Sequence, residues 1–484
     1  MLNIFKSEIK MKTVLSIIFS IFILSLHAQQ QTSRHKSEKI DSFMSAINKS
    51  GQFMGAVLVA ENGKIIYKKG FGVADTKTKE LFTPATPCYI GSLSKQFTAM
   101  GIVILKEKGK ISYEQSIRQY FPALPECYQP VTIYNMLQHT SGLALFDDYP
   151  NMTETDVFSI LQKQTVLRFT PGSKFEYCNA NYSLLGMLIE KISGKSLDEF
   201  LTANVFTPCG MKNTYVDEPS VKNRKRAVGY YLFGDEYNYN TYIGGAASVV
   251  STVEDLYKWD TILYHPTIIS RQSAEEIFSP GKNEWDSNTY GKQGYGFGWF
   301  ISGNENDKII QHDGGFAGFR SYIERQVGKH NTIIYISNVR HEIKENIREG
   351  IVNILNSEPY TIPKTSWANW IMSKAKKTGI KQAIADYTSL SKTKDSNNYY
   401  FSERECNSLG YYLLRNNKIE DAIQLFKLNT EQFPSSGNAF DSMGEAYLKA
   451  ADKQNALLSY KKSFELDPGN GNAADMLKKL EDNK

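Results

Sequence analysis

Ser92 and Lys95 stand three positions apart in the run Tyr89-Ile90-Gly91-Ser92-Leu93-Ser94-Lys95-Gln96-Phe97. Residues at i and i+3 share one helix face, so this spacing sets an amine beside a hydroxyl. A serine at a helix start also feels the positive end of the helix dipole, which favours an alkoxide. A neutral lysine, or one that stabilises another base, can take the serine proton and make Ser92 a nucleophile. Two further groups could complete such a site. In Phe175-Glu176-Tyr177-Cys178-Asn179-Ala180-Asn181-Tyr182, a nearby ammonium can lower the pKa of Tyr177, which then serves as base and afterwards as acid. Asn179 can donate to a substrate carbonyl and accept from Lys95. Gln311-His312-Asp313-Gly314-Gly315-Phe316 follows an apolar strand, Lys308 to Ile310. Gly314 and Gly315 let a substrate approach the backbone, and a free N–H there can complete an oxyanion hole with the N–H of Ser92. His312 can shape or hydrogen-bond the reacting centre.

Taken singly, none of these patterns is specific. Ser-x-x-Lys recurs at Ser33/Lys36, Ser373/Lys376, Ser391/Lys394 and Ser459/Lys462, and Tyr-x-Asn recurs at Tyr149/Asn151. The bland alternatives are an exposed Ser and Lys, a Tyr and Asn in a turn before a helix, and a glycine-rich turn with a surface histidine. Ser92 differs by opening an apolar helix after a short Tyr-Ile-Gly approach. A Ser-His-Asp arrangement has no support, because the chain lacks a G-x-S-x-G elbow; His139, close to Ser141, is read as structural. No HExxH occurs, the seven histidines are scattered, and none of the five cysteines lies at C-x-x-C spacing, so no metal or other cofactor is expected.

The elements that position these residues follow from periodicity. Lys39 to Ile47 reads as a helix with Ile40, Phe43 and Ile47 on one face. Phe53 to Val59 and Lys64 to Tyr67 read as strands joined through Asn62-Gly63, a strong hairpin signal. The helix that Ser92 opens runs to about Lys106 and ends at Gly109. A helix-rich middle extends from Ile117 to about Asn213. Late strands come at Tyr295 to Phe300, Lys308 to Gln311 and Thr332 to Ile336. An early β pair, a central helical block and late strands predict one sheet assembled from both ends of the segment, closing near Asn356 before Pro359 and Pro363.

At 484 residues the chain exceeds one ordinary domain. Its 41% hydrophobic and 22% charged content is that of a globular protein. The net charge of +5 includes Lys6, Lys10 and Lys12 and is too small and dispersed for a nucleic-acid partner. Lys10 and Lys12 precede the largely apolar run Val14 to Leu26, then His27-Ala28 and three glutamines. That order predicts a secretory signal peptide over 1–28 and an exported protein, periplasmic or secreted, with no stable membrane span after cleavage. The run is shorter than a bilayer span, and an uncleaved anchor is the alternative.

Beyond Asn356 the pattern changes. Gly410, Ala422, Phe426 and Pro434 recur as Gly444, Ala456, Tyr460 and Pro468, a period of 34 residues. Small residues at a helix crossing, an aromatic wedge and a terminating proline suit a helix-turn-helix unit. The pattern resembles tetratricopeptide repeats. Ala473 to Leu480 reads as a capping helix, and Trp367 to Leu390 as helices in front. The expected all-α region spans 366–484; it is either a dock for a protein partner or a helical buttress.

The order Ser-x-x-Lys, Tyr-x-Asn, His-x-Gly resembles the class C β-lactamase and esterase branch of the penicillin-recognising serine hydrolases. Val131-Thr132-Ile133 to Leu143, Tyr182 to Gly186, and Gly244-Gly245 to Trp259 resemble further family segments, over about residues 35 to 355. The resemblance implies an α/β (α+β) fold over 35–356, an antiparallel sheet with a helical subdomain. It implies Ser92 as the acylated nucleophile, Lys95 as its activator and Tyr177 as base and proton relay. Asn179, His312, Gly314 and Gly315 would be substrate-binding, with the N–H groups of Ser92 and Gly315 holding the oxyanion. The implied substrate is a small acyl, peptide or cell-wall-derived compound. The chain departs from the β-lactamases of that branch at its third motif: they usually carry Lys-Thr-Gly where this chain has His312-Asp313-Gly314. A fixed cation for a substrate carboxylate is lost, and Asp313 adds a negative charge if it faces the site. Esterase, D-amino-acid amidase or peptidase action fits this variant better than potent β-lactamase action. The competing readings are a penicillin-binding or sensor protein that acylates without turnover, and an inert front domain carrying an interaction module.

Overall fold

The structure is a computed structural model that describes residues 31–146, 151–221, 224–234, 236–237, 241–304, 306–341 and 343–481. The leader expected over 1–28 lies outside them. Helix α1 (31–49) leads into β1 (Gly55–Glu61) and β2 (Lys64–Phe71). Asn62 and Gly63 take φ of +51° and +70° in the turn between them, the left-handed pair that two-residue hairpins require.

The middle of the chain holds β3 (Cys88–Tyr89), α2 (Ser94–Glu107), α3 (Ile133–Leu137), α4 (Glu154–Lys163), α5 (Asn179–Ser193), α6 (Leu197–Leu201), β4 (Tyr215–Val216), β5 (Val249–Ser251), α7 (Val253–Tyr264) and α8 (Arg271–Ile277). Strands β6 (Trp285–Ser287), β7 (Gly291–Tyr295), β8 (Phe300–Ser302), β9 (Ile309–Phe316), β10 (Phe319–Gln326) and β11 (Asn331–Ser337) follow, then α9 (Lys344–Asn356). The main sheet has eight strands in the order β2-β1-β11-β10-β9-β8-β7-β6, with every neighbouring pair antiparallel. It is therefore built from both ends of the segment, as expected. A small sheet, β3-β5-β4, lies apart.

Two cores sandwich the main sheet. Successive strand residues point to opposite faces, so β1 sends Val57 and Val59 to one face and Ala56 and Leu58 to the other. β11 does the same with Ile333 and Tyr335 against Ile334 and Ile336. The first face is covered by α1 and α9 through Phe43, Ile47, Ile347 and Ile351, the second by the helical block. α2 is buried on all sides from Ser94 to Leu105, the pattern of a central helix. Each of these buried aliphatic side chains contributes roughly 1.5–3 kcal/mol relative to exposure.

The expected strand over Lys308 to Gln311 is longer than the apolar run, and the His-Asp-Gly-Gly segment belongs to it. β9 continues to Phe316, and the turn comes only at Ala317-Gly318, with φ of +50° and +86°. Cross-strand pairing with β10, which carries Gly315 opposite Arg320 and Gly314 opposite Ser321, overrides the low strand preference of glycine. β8 pairs with β9 only as far as Gln311.

Seven helices follow: α10 (Trp367–Thr378), α11 (Ile380–Leu390), α12 (Glu403–Arg415), α13 (Ile419–Gln432), α14 (Gly437–Lys449), α15 (Lys453–Leu466) and α16 (Gly471–Glu481). The sequence repeat recurs as a repeated contact. Gly410 of α12 faces the Phe426 ring of α13, and Gly444 of α14 faces Tyr460 of α15, with no room for a side chain at Gly410 and little at Gly444. Phe233, from the segment between β4 and β5, is buried in the same core as Trp367, Ile371 and Leu409. Among the described residues no helix is long and apolar enough to cross a membrane.

One buried ion pair ties α7 to the sheet. Arg325 Nε lies 2.5 Å from Asp260 Oδ1, both side chains are 2% exposed, and Thr332 donates to Asp260 Oδ2 at 2.6 Å. Removing one partner strands the other charge in the core. Asp260→Ala is expected to cost about 3–5 kcal/mol, read as a lowered urea midpoint; a loss below about 1 kcal/mol, typical of an exposed pair, would show that Arg325 finds water.

Candidate active site

Ser92 sits in a 3-10 turn, Gly91–Leu93, that runs directly into α2. Gly91 has φ +53°, and a Cβ there would lie 2.7 Å from the Gly315 nitrogen. Glycine alone meets both conditions. The nucleophile candidate is thus pressed against the half of β9 that β8 leaves unpaired.

Lys95 lies in the first turn of α2 and is fully buried. Its Nζ is 3.1 Å from Ser92 Oγ, 2.8 Å from Asn179 Oδ1 and 2.9 Å from the Ala246 carbonyl oxygen. The last two atoms can only accept. As a neutral amine, Lys95 directs its two N–H bonds to them and keeps its lone pair for the Ser92 hydroxyl; as an ammonium, it donates to all three. One geometry therefore serves both for taking the serine proton and for holding it. Asn179 is the first residue of α5, and Ala246 ends the 3-10 turn Gly244–Ala246. That turn is pinned to α2, where Thr98 Oγ1 donates to the Gly245 carbonyl at 2.8 Å. The Tyr177 ring centroid lies 4.9 Å from Lys95 Nζ.

Gly314 is held to the Ser92 turn from the other side. Ser321, its partner on β10, donates to the Ile90 carbonyl at 2.6 Å. His312 is buried on that face. Its Nδ1 lies 2.6 Å from the Asp313 carbonyl oxygen, which can only accept, so Nδ1 carries the proton and Nε2 accepts from the Tyr295 hydroxyl at 3.0 Å. Burial pushes its pKa down to about 4, with Lys95 adding to the shift and Asp313 opposing it. His312 is therefore neutral near pH 7 and supplies no fixed cation. Asp313, one residue on, points to the opposite face. Its carboxylate pairs with Lys344 at 2.9 Å, which also holds its pKa below the usual range against the effect of burial. The conditional expectation that Asp313 faces the site is set aside by this alternation.

His139 packs beside Tyr177, with ring centroids 4.3 Å apart, and lies 4.8 Å from Tyr295. Its Nδ1 accepts from the Cys178 N–H at 3.1 Å, while Ser141 Oγ donates to Asn181 at 2.6 Å. No Ser141–His139 nucleophile–base pair forms. Burial, then Lys95, pushes the His139 pKa well down. The histidine braces Tyr177 by packing.

The family profile for Beta-lactamase matches residues 40–354. The chain belongs to the β-lactamase family. Relatives carry names of the penicillin-binding kind. Penicillin-binding protein 4* of Bacillus subtilis is 31% identical, over 68% of this chain and 78% of its own length. The putative penicillin-binding protein PbpX of the same organism is 28% identical, over 73% and 84%. Among solved structures, the octameric penicillin-binding protein homologue from Pyrococcus abyssi aligns with TM-score 0.59 at 25% identity, covering 66% of this chain and 77% of that one. FmtA from Staphylococcus aureus shares the fold, with TM-score 0.55 at 24% identity over 67% and 90%. Membership makes the chain a serine hydrolase in the broad sense, working through an acyl-enzyme.

All seven β-lactamase-like positions named from the sequence, Ser92, Lys95, Tyr177, Asn179, His312, Gly314 and Gly315, lie in one neighbourhood, linked by the Lys95 contacts, by Tyr177 beside His312 and by β9 against the Ser92 turn. Sequence reasoning missed the residues that hold them. Tyr295 was legible only as part of a strand, and the Ala246 carbonyl carries no side-chain signal, although Gly244-Gly245 marked its segment. Ser321 lay in a strand that no pattern announced.

A Cβ at Gly314 would run into the Ile90 carbonyl and Ser321, whereas one at Gly315 would meet the movable end of Arg320. Gly314→Ala is therefore expected to slow Ser92 acylation by a fluorophosphonate about 100-fold and Gly315→Ala far less; equal rates would contradict the packing of Gly91 on β9. The buried histidines set a pH dependence as well. Above the ordinary value of 6.5, His312 is neutral folded and unfolded. Below it, the unfolded chain takes up a proton that folded His312 refuses until about pH 4. Stability should fall across that window, by about 2 kcal/mol at pH 5 from His312 alone. Urea midpoints between pH 7 and 5 check this, with a shallower decline expected in His312→Gln.

Proposed function

We propose that the chain is an exported serine hydrolase in which Ser92 is acylated by an ester, an amide or a D-amino-acid peptide and is then released by water. The observation that carries this reading is the Lys95 amine, fully buried and 3.1 Å from Ser92 Oγ. Ser92 Oγ bonds to the substrate carbonyl carbon while its proton passes to Lys95. Tyr177, beside Lys95, relays that proton: it protonates the leaving oxygen or nitrogen, whose bond to the acyl carbon breaks, and regains a proton from the Lys95 ammonium. The N–H groups of Ser92 and Gly315 hold the oxyanion, and Asn179 orients the substrate carbonyl or amide. Water then attacks the acyl carbon, giving up a proton that Tyr177 and Lys95 pass to Ser92 Oγ as the Oγ–acyl bond breaks, which restores Ser92 and releases the acid. His312 and Gly314 form the third motif, on the substrate side of β9, with Gly314 against the Ile90 carbonyl.

Small acyl esters are the favoured donors over cephalosporins. The third motif offers a neutral imidazole with both ring nitrogens engaged within the protein, so it lacks the lysine that would grip a carboxylate. A small acyl, peptide or cell-wall-derived compound is the substrate class, and the helical repeats are the surface for any protein partner. The names of the relatives favour a second reading, a penicillin-binding protein whose acyl adduct persists.

Intact mass followed over time separates the two. A p-nitrophenyl acyl ester, a D-alanyl ester and a penicillin are mixed with the protein and with Ser92→Ala. An adduct that appears and decays only when Ser92 is present is expected, fastest with the acyl ester. A penicillin adduct that never decays supports the second reading. No adduct in any arm refutes covalent catalysis at Ser92.

A further inference from the structure

A short segment, Tyr231 to Phe233, packs into the helical region. Phe233 is 8% exposed and lies in the core formed by Trp367, Ile371, Leu409 and Phe426. Arg415 of α12 stacks over Tyr231 at 5.1 Å. Three residues earlier the same segment is locked into the hydrolase fold. The Tyr230 N–H donates to the Asn338 carbonyl at 2.8 Å, and the Tyr230 carbonyl accepts from the Arg340 N–H at 3.2 Å. The Tyr230 hydroxyl accepts from the Thr76 N–H at 2.7 Å.

Gly229 and Tyr230 press on the tip of the β9–β10 hairpin. A Cβ at Gly229 would overlap the Ala317 carbonyl, and one at Gly318 would lie 2.7 Å from the Tyr230 nitrogen. Ala317 holds φ of +50°, a conformation an alanine adopts only when its surroundings impose it. β8 has already left β9 at Gln311, so the tip rests on β10 and on this segment. Two adjoining cavities mark the same path. One, of 210 Å³, lies between Tyr231–Phe233 and α12; the other, of 300 Å³, is lined by Tyr237 and by Gly315 to Arg320; Arg340 borders both.

We propose that Phe233 is a positioning residue: anchored in the helical region, it holds Gly229 and Tyr230 against the Ala317–Gly318 turn and thereby fixes the Gly315 N–H relative to Ser92. The C-terminal helices are then part of the catalytic device. The proposal rests on the reading of Gly315 as an oxyanion donor.

The test uses the full chain. Amide hydrogen exchange over 315–319 and steady-state kinetics on a small acyl ester are compared for Phe233→Ala, Phe233→Leu, Gly229→Ala and Tyr460→Ala. In Phe233→Ala, exchange at 315–319 should rise about tenfold and kcat should fall about tenfold with KM nearly unchanged, a fraction of the loss from removing an oxyanion donor outright. Phe233→Leu should restore both, and Tyr460→Ala, which loosens only the last repeat, should change neither. Gly229→Ala should give the same signature from the other side with the α12 amides undisturbed, which keeps the test decisive if Phe233→Ala does not fold. Unchanged exchange at 315–319 in both Phe233→Ala and Gly229→Ala overturns the coupling, and raised exchange with unchanged kcat overturns the positioning role. A wild-type chain that never acylates refutes the reading of the site instead, while the exchange data still decide the coupling.

Discussion

A lysine amine fully removed from water is the constraint around which the hydrolase half is organised. A buried ammonium is tolerated only with hydrogen-bond acceptors on every side. Lys95 finds them on three separate stretches of chain: the Ser92 turn, the first residue of α5, and the turn ending at Ala246. Burying α2 on all sides provides the exclusion of water, and α5 and the Gly244–Ala246 turn provide the polar partners. The packing of these elements and the chemistry at Ser92 are therefore one problem.

The sheet solves the other half. Substrate chemistry at Ser92 needs a backbone edge beside the nucleophile, and β9 offers one because β8 diverges at Gln311. Glycines at 91 and 314 let the two backbones close to contact. The third motif carries a histidine on this strand. His312 is used internally, bound to Tyr295 and to the Asp313 carbonyl, and Asp313 turns away to Lys344. The charge pattern at the third motif is thereby neutral on the Ser92 side.

The family profile ends at residue 354, before α10 begins. The helices beyond it are no loose appendage, since Phe233 lies in their core while Tyr230 is bonded into the sheet side. Packed interiors transmit displacement because they are dense, and Phe233 makes its contact within such an interior, beside the cavity that separates its segment from α12.

Much of the molecule was legible in the sequence because local patterns carry it. The Asn62-Gly63 turn, the Ser92–Lys95 spacing, the helix end at Asn356 and the 34-residue helical period each rest on contacts between near neighbours, or on a repeat that states itself. The order of three weak motifs pointed to the family although no single one could. Which face Asp313 takes, which tautomer His312 holds, and which carbonyl receives Lys95 depend on partners at 344, 295 and 246, far away along the chain. The strand identity of the His-Asp-Gly-Gly segment was likewise set by its pairing with β10. The residue types and their spacing thus determined what chemistry was available; only the tertiary structure decided which atoms meet, because hydrogen-bond partners and sheet register between distant segments leave no trace in local periodicity.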